Sequence, residues 1–319
     1  MFTVVIGLVA ALIFGSADFL GGLAAKRISP LRVTAVTAAA GLVLLLAVAP
    51  SVGGSWSAGA ILWGGLSGIS GALAISLLYA CLAIGPMSIL SPLTAVVSAV
   101  VPMTWGLIGG DRFAPIGYVA LGLALVAVVL VGFVPERGAV RPRPRGIAMA
   151  IGSGLMIGVF MILIDATPHD SGLVPLIMNR AVNAAIMFAT VGLLALWQQA
   201  RRRARSSTAV ASAAVSSTRG SGMGAGNSTG DGDATVTRTG GWRPGLVLAV
   251  TGGLVDATAN ILMLVGLRIG DLSVIAVLTA MYPAGTIILA AVVLRERIAP
   301  VQWVGLVLAI GAAGLLALA

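Results

Sequence analysis

Charge is scarce in this chain. Of 319 residues only 9% are Asp, Glu, Lys or Arg, against 59% hydrophobic ones. That leaves too little polar surface to cover a water-soluble fold, and so excludes a soluble nucleic-acid binder despite the net charge of +9. Cysteine and histidine occur once each, as Cys81 and His169. A lone cysteine excludes an internal disulfide. One histidine, one cysteine and no clustered acids inside the apolar runs supply neither a metal centre nor a nucleophile with its base, so no cofactor, metal or enzymatic activity is expected. The period-two alternation of a membrane β-barrel is missing as well.

What the chain does have is ten apolar runs long enough to cross a hydrocarbon core as helices, at about 20 residues each. They are read as Phe2 to Ala25, Arg32 to Val48, Ala58 to Ala80, Pro86 to Ile108, Pro115 to Val134, Gly146 to Ile164, Gly172 to Trp197, Pro244 to Leu267, Leu272 to Leu294 and Pro300 to Leu318. The predicted class is an all-α polytopic protein of the cytoplasmic membrane. The first run lacks a basic leader and is read as a retained span. Sixteen of the 19 basic residues fall in loops after odd-numbered spans, among them Lys26, Arg27, Arg137, Arg145, Arg201 and Arg295. Only Arg112 and Arg268 mark the other face, and Arg180 lies within a span. The positive-inside rule then puts the odd-numbered loops in the cytoplasm and both termini outside.

Two features organise the chain. Residues 198–241 turn abruptly to Ser, Thr, Gly, Ala and Arg, a composition that buries too little surface to fold, and are expected to form a disordered cytoplasmic linker between helices seven and eight. The second feature is a repeat. A shift of 185 positions lays Gly85 on Gly270, Ser88 on Ser273, Leu93-Thr94-Ala95 on Leu278-Thr279-Ala280, Asp111-Arg112 on Glu296-Arg297, and Ala114-Pro115 on Ala299-Pro300. The first copy is assigned to 1–137 and the second to 138–197 and 242–319. Five spans per copy is an odd number, so the copies enter the membrane from opposite sides, as in the inverted repeats of secondary transporters.

These marks, the acidic-basic pair, the following Pro and the aromatic residue of the last span (Tyr118, Trp303), together with "MNR" at Met178 to Arg180 and "GSADFLGG" at Gly15 to Gly22, resemble the EamA-type family of the drug/metabolite transporter superfamily. The resemblance implies a carrier that moves a small organic metabolite or drug, usually outward. It departs in one respect: family members are often drawn with cytoplasmic termini, whereas the arginine distribution here places them outside. An uncoupled facilitator or channel is the alternative reading.

Three ionisable residues lie well inside spans, Asp18, Arg180 and Asp256. At about 2.5 to 3.5 kcal/mol each near a helix centre, such charges should face the protein interior or a wet cavity and find partners. Asp256 and Asn260, four apart, share one face of span eight; Asn179, Arg180 and Asn183 form a polar stripe on span seven. The stripes are expected to face each other and bring Arg180 to Asp256, with interhelical hydrogen bonding as the plainer role of the asparagines. Asp18 is the candidate for coupling to protons, or else an anchor reaching toward Lys26 and Arg27. Pro92, Pro102 and Pro283 could break their helices and line a cavity, or be tolerated kinks. Tyr79, Tyr282 and Trp105 could stack on a solute, although packing is the simpler reading. The glycines of "GGLSGISGALA" in span three read as helix packing. The small solute, protons and the bilayer are the expected partners, and the oligomeric state is open.

Overall fold

In a computed structural model the described residues are 1–84, 87–132, 143–219, 242–295 and 298–318. Among them the chain is helical and has no strand. The helices are α1 (Phe2–Ala25), α2 (Pro30–Val52), α3 (Ala58–Ile84), α4 (Met87–Gly109), α5 (Pro115–Gly132), α6 (Pro144–Asp165), α7 (Val174–Arg219), α8 (Trp242–Ile269), α9 (Leu272–Thr279), α10 (Tyr282–Val293) and α11 (Pro300–Leu318), with a 3-10 turn at His169–Ser171. Ten segments are long and apolar enough to span a membrane; α9 and α10 share one of them.

Prolines set many of the starts. α2, α5, α6 and α11 all open on Pro, which lacks the N–H that a first turn leaves unpaired in any case. Of the three candidate helix-breaking prolines only Pro283 breaks a helix. Its ring excludes the carbonyl four residues back, that of Thr279, and α9 stops there. A last α-helical bond, Ala280 N to Ala276 O, and a tightened one, Met281 N to Leu278 O, both 3.1 Å, close α9 before α10 restarts at Tyr282. Pro92 and Pro102 lie inside an unbroken α4. Pro102 is fully buried, and Pro92 faces Gly132 of α5, so both act in packing.

The seventh span departs from expectation at its far end. Helix α7 runs 46 residues to Arg219, so 198–219, expected as unstructured linker, is helical. Hydropathy ended the span at Trp197, but Ala and Arg are strong helix formers and carry the backbone hydrogen bonding onward. The rest of that stretch, 220–241, lies outside the described residues, as do Arg137, Glu296 and Arg297.

The bundle is held by close approach of small residues. Buried positions are crowded with alanine (Ala10, Ala95, Ala99, Ala120, Ala124, Ala312), while large apolar side chains such as Ile108 and Val292 point outward, the arrangement suited to a lipid surround. In α3 the expected glycine packing is present. A Cβ at Gly68 would lie 2.6 Å from the Asn179 carbonyl oxygen, so only glycine lets α3 and α7 meet. Near the break of span nine, Gly15 of α1 abuts the backbone of Gly285, and Thr286 donates to the Gly15 carbonyl at 3.1 Å.

The principal neighbours are α1 with α8, α3 with α6, α2 with α8, α3 with α7, α4 with α6, α1 with α9 and α10, α2 with α7, α4 with α9, and α5 with α11. Exchanging every span with the one five places along leaves this set unchanged. α1 on α8 becomes α6 on α3, α2 on α8 becomes α7 on α3, α4 on α6 becomes span nine on α1, and α5 on α11 maps onto itself.

Candidate functional site

Between the halves lies a cavity of two lobes, about 200 and 220 Å³. Phe14, Ile75, Ile157 and Phe160 line both and form the apolar neck between them. The first lobe gathers the polar stripes of α7 and α8: Asn179, Arg180, Asn183, Asp256 and Asn260. The second holds Asp18, Ser98, Thr279 and Tyr282 against Leu78, Met161 and Met263.

Arg180 Nη2 donates to Asp256 Oδ2 in an ion pair whose side chains are 13% and 27% exposed. Two charges that would each be costly in hydrocarbon thus neutralise one another where α7 and α8 converge on α2. Gly41 of α2 makes room there: a Cβ at that position would come within 3.6 Å of Arg180 Nε and 3.2 Å of the Gly253 carbonyl oxygen. Asn260 Nδ2 donates to the Asp256 backbone carbonyl at 2.8 Å and lies 3.4 Å from the paired carboxylate oxygen.

The two asparagines flanking Arg180 differ. Asn179 Nδ2 donates to Ser67 Oγ at 2.9 Å, and Ser67 Oγ donates to the Gly64 carbonyl at 2.7 Å, so this one is tied into the α3 interface. Asn183 is only 4% exposed, yet its Oδ1 accepts no hydrogen bond among the described residues. One turn further along α3 from Ser67 stands Gly71, which has no side-chain hydroxyl and where an added Cβ would come within 3.3 Å of Asn183 Nδ2.

Asp18 lies deep in the bundle with its side chain exposed to the cavity. No described Lys or Arg pairs with it. Asp256 across the α1–α8 interface and Tyr282 at the start of α10 are within electrostatic reach. The helix break beside Pro283 is what brings Tyr282, Ala280 and Thr279 to the lobe. Trp105 lines neither lobe; it is 59% exposed on the outside of α4, so the stacking role considered for it does not fit the structure. The Tyr79 side chain lies outside the described residues.

At the membrane face of Arg112 a second polar set closes the bundle. Asp111 Oδ2 accepts from the Ser273 backbone N–H at 3.1 Å and from Ser273 Oγ at 2.7 Å, capping α9. Arg268 donates to the carbonyls of Thr167 (2.7 Å) and Pro168 (3.1 Å) and to Thr167 Oγ1 (2.5 Å). Ser55 Oγ donates to Asp170 Oδ2 at 2.6 Å. Burial, reinforced by the neighbouring Asp111 carboxylate, raises the proton affinity of Asp271 at this face. No group of three or more metal-ligating side chains occurs among the described residues.

Sequence reasoning missed the neck residues Phe14 and Phe160 and the clamp formed by Arg268. The neck residues look like any other apolar positions of their spans, and Arg268 had counted only toward orientation.

Ten helices long and apolar enough to cross a membrane, with a polar, ion-paired cavity among them, define a polytopic membrane protein. Residues 230–318, the last part of the chain, match the EamA-like transporter family, in agreement with the family resemblance of the sequence. The crystal structure of another protein, 15% identical, covers 99% of this chain and 96% of its own with a TM-score of 0.67, which shows a shared fold. No curated protein matches the chain.

Proposed function

We propose that the protein is a secondary active transporter that exports a small organic solute by alternating access in exchange for protons. The observation that carries this reading is the two-lobed cavity, with the Arg180–Asp256 pair in one lobe and the Asp18 carboxylate, which no described Lys or Arg pairs, in the other. Its position between two sets of five spans, whose neighbour pairs interchange, supports an inverted repeat with a pseudo-two-fold axis through the site. Each set can then rock against the other and expose the same residues to either face. In the proposed orientation both termini lie outside, residues 198–241 lie in the cytoplasm, and the Asp111 and Arg268 clasps lie on the outer face.

Solutes are nominated by comparing the metabolites and toxicant tolerance of deletion and overexpression cells, then tested in proteoliposomes by counterflow with and without an imposed pH gradient. Flux that responds to the gradient supports the reading. Flux down the solute gradient alone identifies a facilitator, and an Arg180→Ala protein that inserts normally and transports at the wild-type rate removes the proposed role of the pair.

A further inference from the structure

The register shift of 185 positions relates α4 and α5 to span nine and α11, yet the two pairs pack differently. In the first pair Val96, Ala99 and Met103 of α4 belong to one apolar cluster with Leu121, Ala124 and Leu125 of α5. The shift lays these six on Met281, Ala284, Ile288, Leu306, Ala309 and Ile310. In the second pair all six line a groove of about 500 Å³, larger than either lobe of the central cavity. The contact of Gly15 with Gly285 seats α10 on α1, and the space falls between α10 and α11.

Every described side chain on the groove is apolar but for the indole N–H of Trp303. Met281 and Ala309, part of the same apolar cluster, form a buried floor, while Val292 and Ile310 are exposed at the rim, so the groove opens away from the bundle. In a membrane protein that surface meets hydrocarbon, and a void of this size left empty there would forfeit dispersion contacts along its lining. From Ala284 to Val292 the groove follows α10 for about 12 Å, close to the depth of one leaflet at about 15 Å of hydrocarbon. At the end away from Met281 the lining passes from Val292 to Ile298 through a turn in which Arg295 is exposed and left-handed (φ 56°). By sequence that turn holds two arginines and one glutamate, so it is net positive. An apolar slot one leaflet deep thus ends at a positive charge, the complement of a phospholipid whose headgroup is negative.

We propose that the groove between α10 and α11 binds one acyl chain of an anionic phospholipid, whose phosphate pairs with Arg295. The site lies outside the central cavity and does not depend on which solute crosses there. It does border that cavity. Met281 closes the inner end of the groove, and the residues on either side of it, Ala280 and Tyr282, line the second lobe. A seated chain therefore bears on the span-nine break from outside the bundle and sets the spacing of α10 from α11. In the first pair Pro92 of α4 stands against Gly132 of α5, so the protein's own side chains do there what the lipid does here.

The test uses the full chain, stripped of lipid in detergent and then given phosphatidylglycerol or phosphatidylcholine with identical acyl chains; bound lipid is counted by native mass spectrometry. Phosphatidylglycerol should be held about fivefold more tightly than phosphatidylcholine, and Arg295→Gln should bring the two together. Ala291→Phe puts a ring into the groove and should weaken both lipids about tenfold, whereas Val126→Phe, on the outward surface of α5, should change neither. A second measurement needs no variant. Wild-type protein reconstituted with phosphatidylglycerol that carries a photoreactive group in its chain should crosslink on α10 and α11 around Ala284 and Ala309. The inference is overturned if phosphatidylcholine binds as tightly as phosphatidylglycerol, if Arg295→Gln keeps the preference, if Ala291→Phe holds lipid as wild type does, or if the crosslinks fall on other helices. Lipid-free masses of two chains that vanish in Ala291→Phe would also overturn it, by giving the groove to a second copy of the protein.

Discussion

Breaking the Arg180–Asp256 pair gives the sharpest test of how the cavity is built. Arg180→Met keeps the length of the side chain and removes its charge, leaving Asp256 alone in the membrane interior; Asp256→Asn does the reverse. Breaking a fully buried pair costs about 3–5 kcal/mol, whereas exposed pairs contribute about 0–1 kcal/mol. With side chains 13% and 27% exposed and Asn260 close to the surviving carboxylate, each single change should cost about 2 kcal/mol. The double variant leaves no charge stranded. It should cost about 2 kcal/mol rather than the additive value of about 4, a coupling energy of about 2 kcal/mol. Unfolding of the four proteins by SDS in mixed micelles, followed through tryptophan fluorescence, measures the cycle. Additivity within about 0.5 kcal/mol would refute the coupling and with it the claim that the pair neutralises the first lobe.

Two further outcomes follow from the packing and from the face of Arg112. Gly68→Ala forces α3 away from the Asn179 carbonyl and should destabilise by about 1–3 kcal/mol, while Gly65→Ala, whose new Cβ would meet nothing closer than 3.9 Å, should be neutral or stabilising in the same unfolding assay. Asp271 holds its proton more tightly in the fold than in the unfolded chain. Its contribution to stability is therefore present below the ordinary carboxylate range and lost as pH rises through its raised value. Asp271→Asn keeps a capping residue at the start of α9 without that titration, so wild type should lose stability relative to the variant as the pH is raised. A difference that stays constant with pH would show that Asp271 does not titrate as described.

Much of this architecture could be read along one dimension. A membrane span is a property of one continuous run, and so the ten spans and the proline starts at Pro115 and Pro300 were legible. Charge in hydrocarbon has few resting places, and that is why Arg180 and Asp256 could be paired before any contact was known. Other features depend on what a neighbouring helix presents. Asn179 and Asn183 look alike in sequence, and only the register of α3, with Ser67 beside one and Gly71 beside the other, separates an amide tied across the interface from one whose oxygen accepts no bond among the described residues. Pro92 and Pro283 also look alike, yet α4 continues through the first and span nine breaks at the second. Residues 198–219 were misread because hydropathy reports where a helix leaves lipid, not where it ends.

That last helix has a mechanical consequence. At about 1.5 Å per residue, the 22 residues from 198 to 219 make a rod of about 33 Å beyond the end of the seventh span, rigidly continuous with the segment that carries Arg180. A tilt of about 10° about the level of Arg180, 39 residues or about 58 Å from the end, would swing residue 219 by about 10 Å while the helix near the ion pair hardly moves. Spectroscopic labels near Arg219 and on a loop of the same face would therefore register small rearrangements of the cavity as changes in a long lever arm.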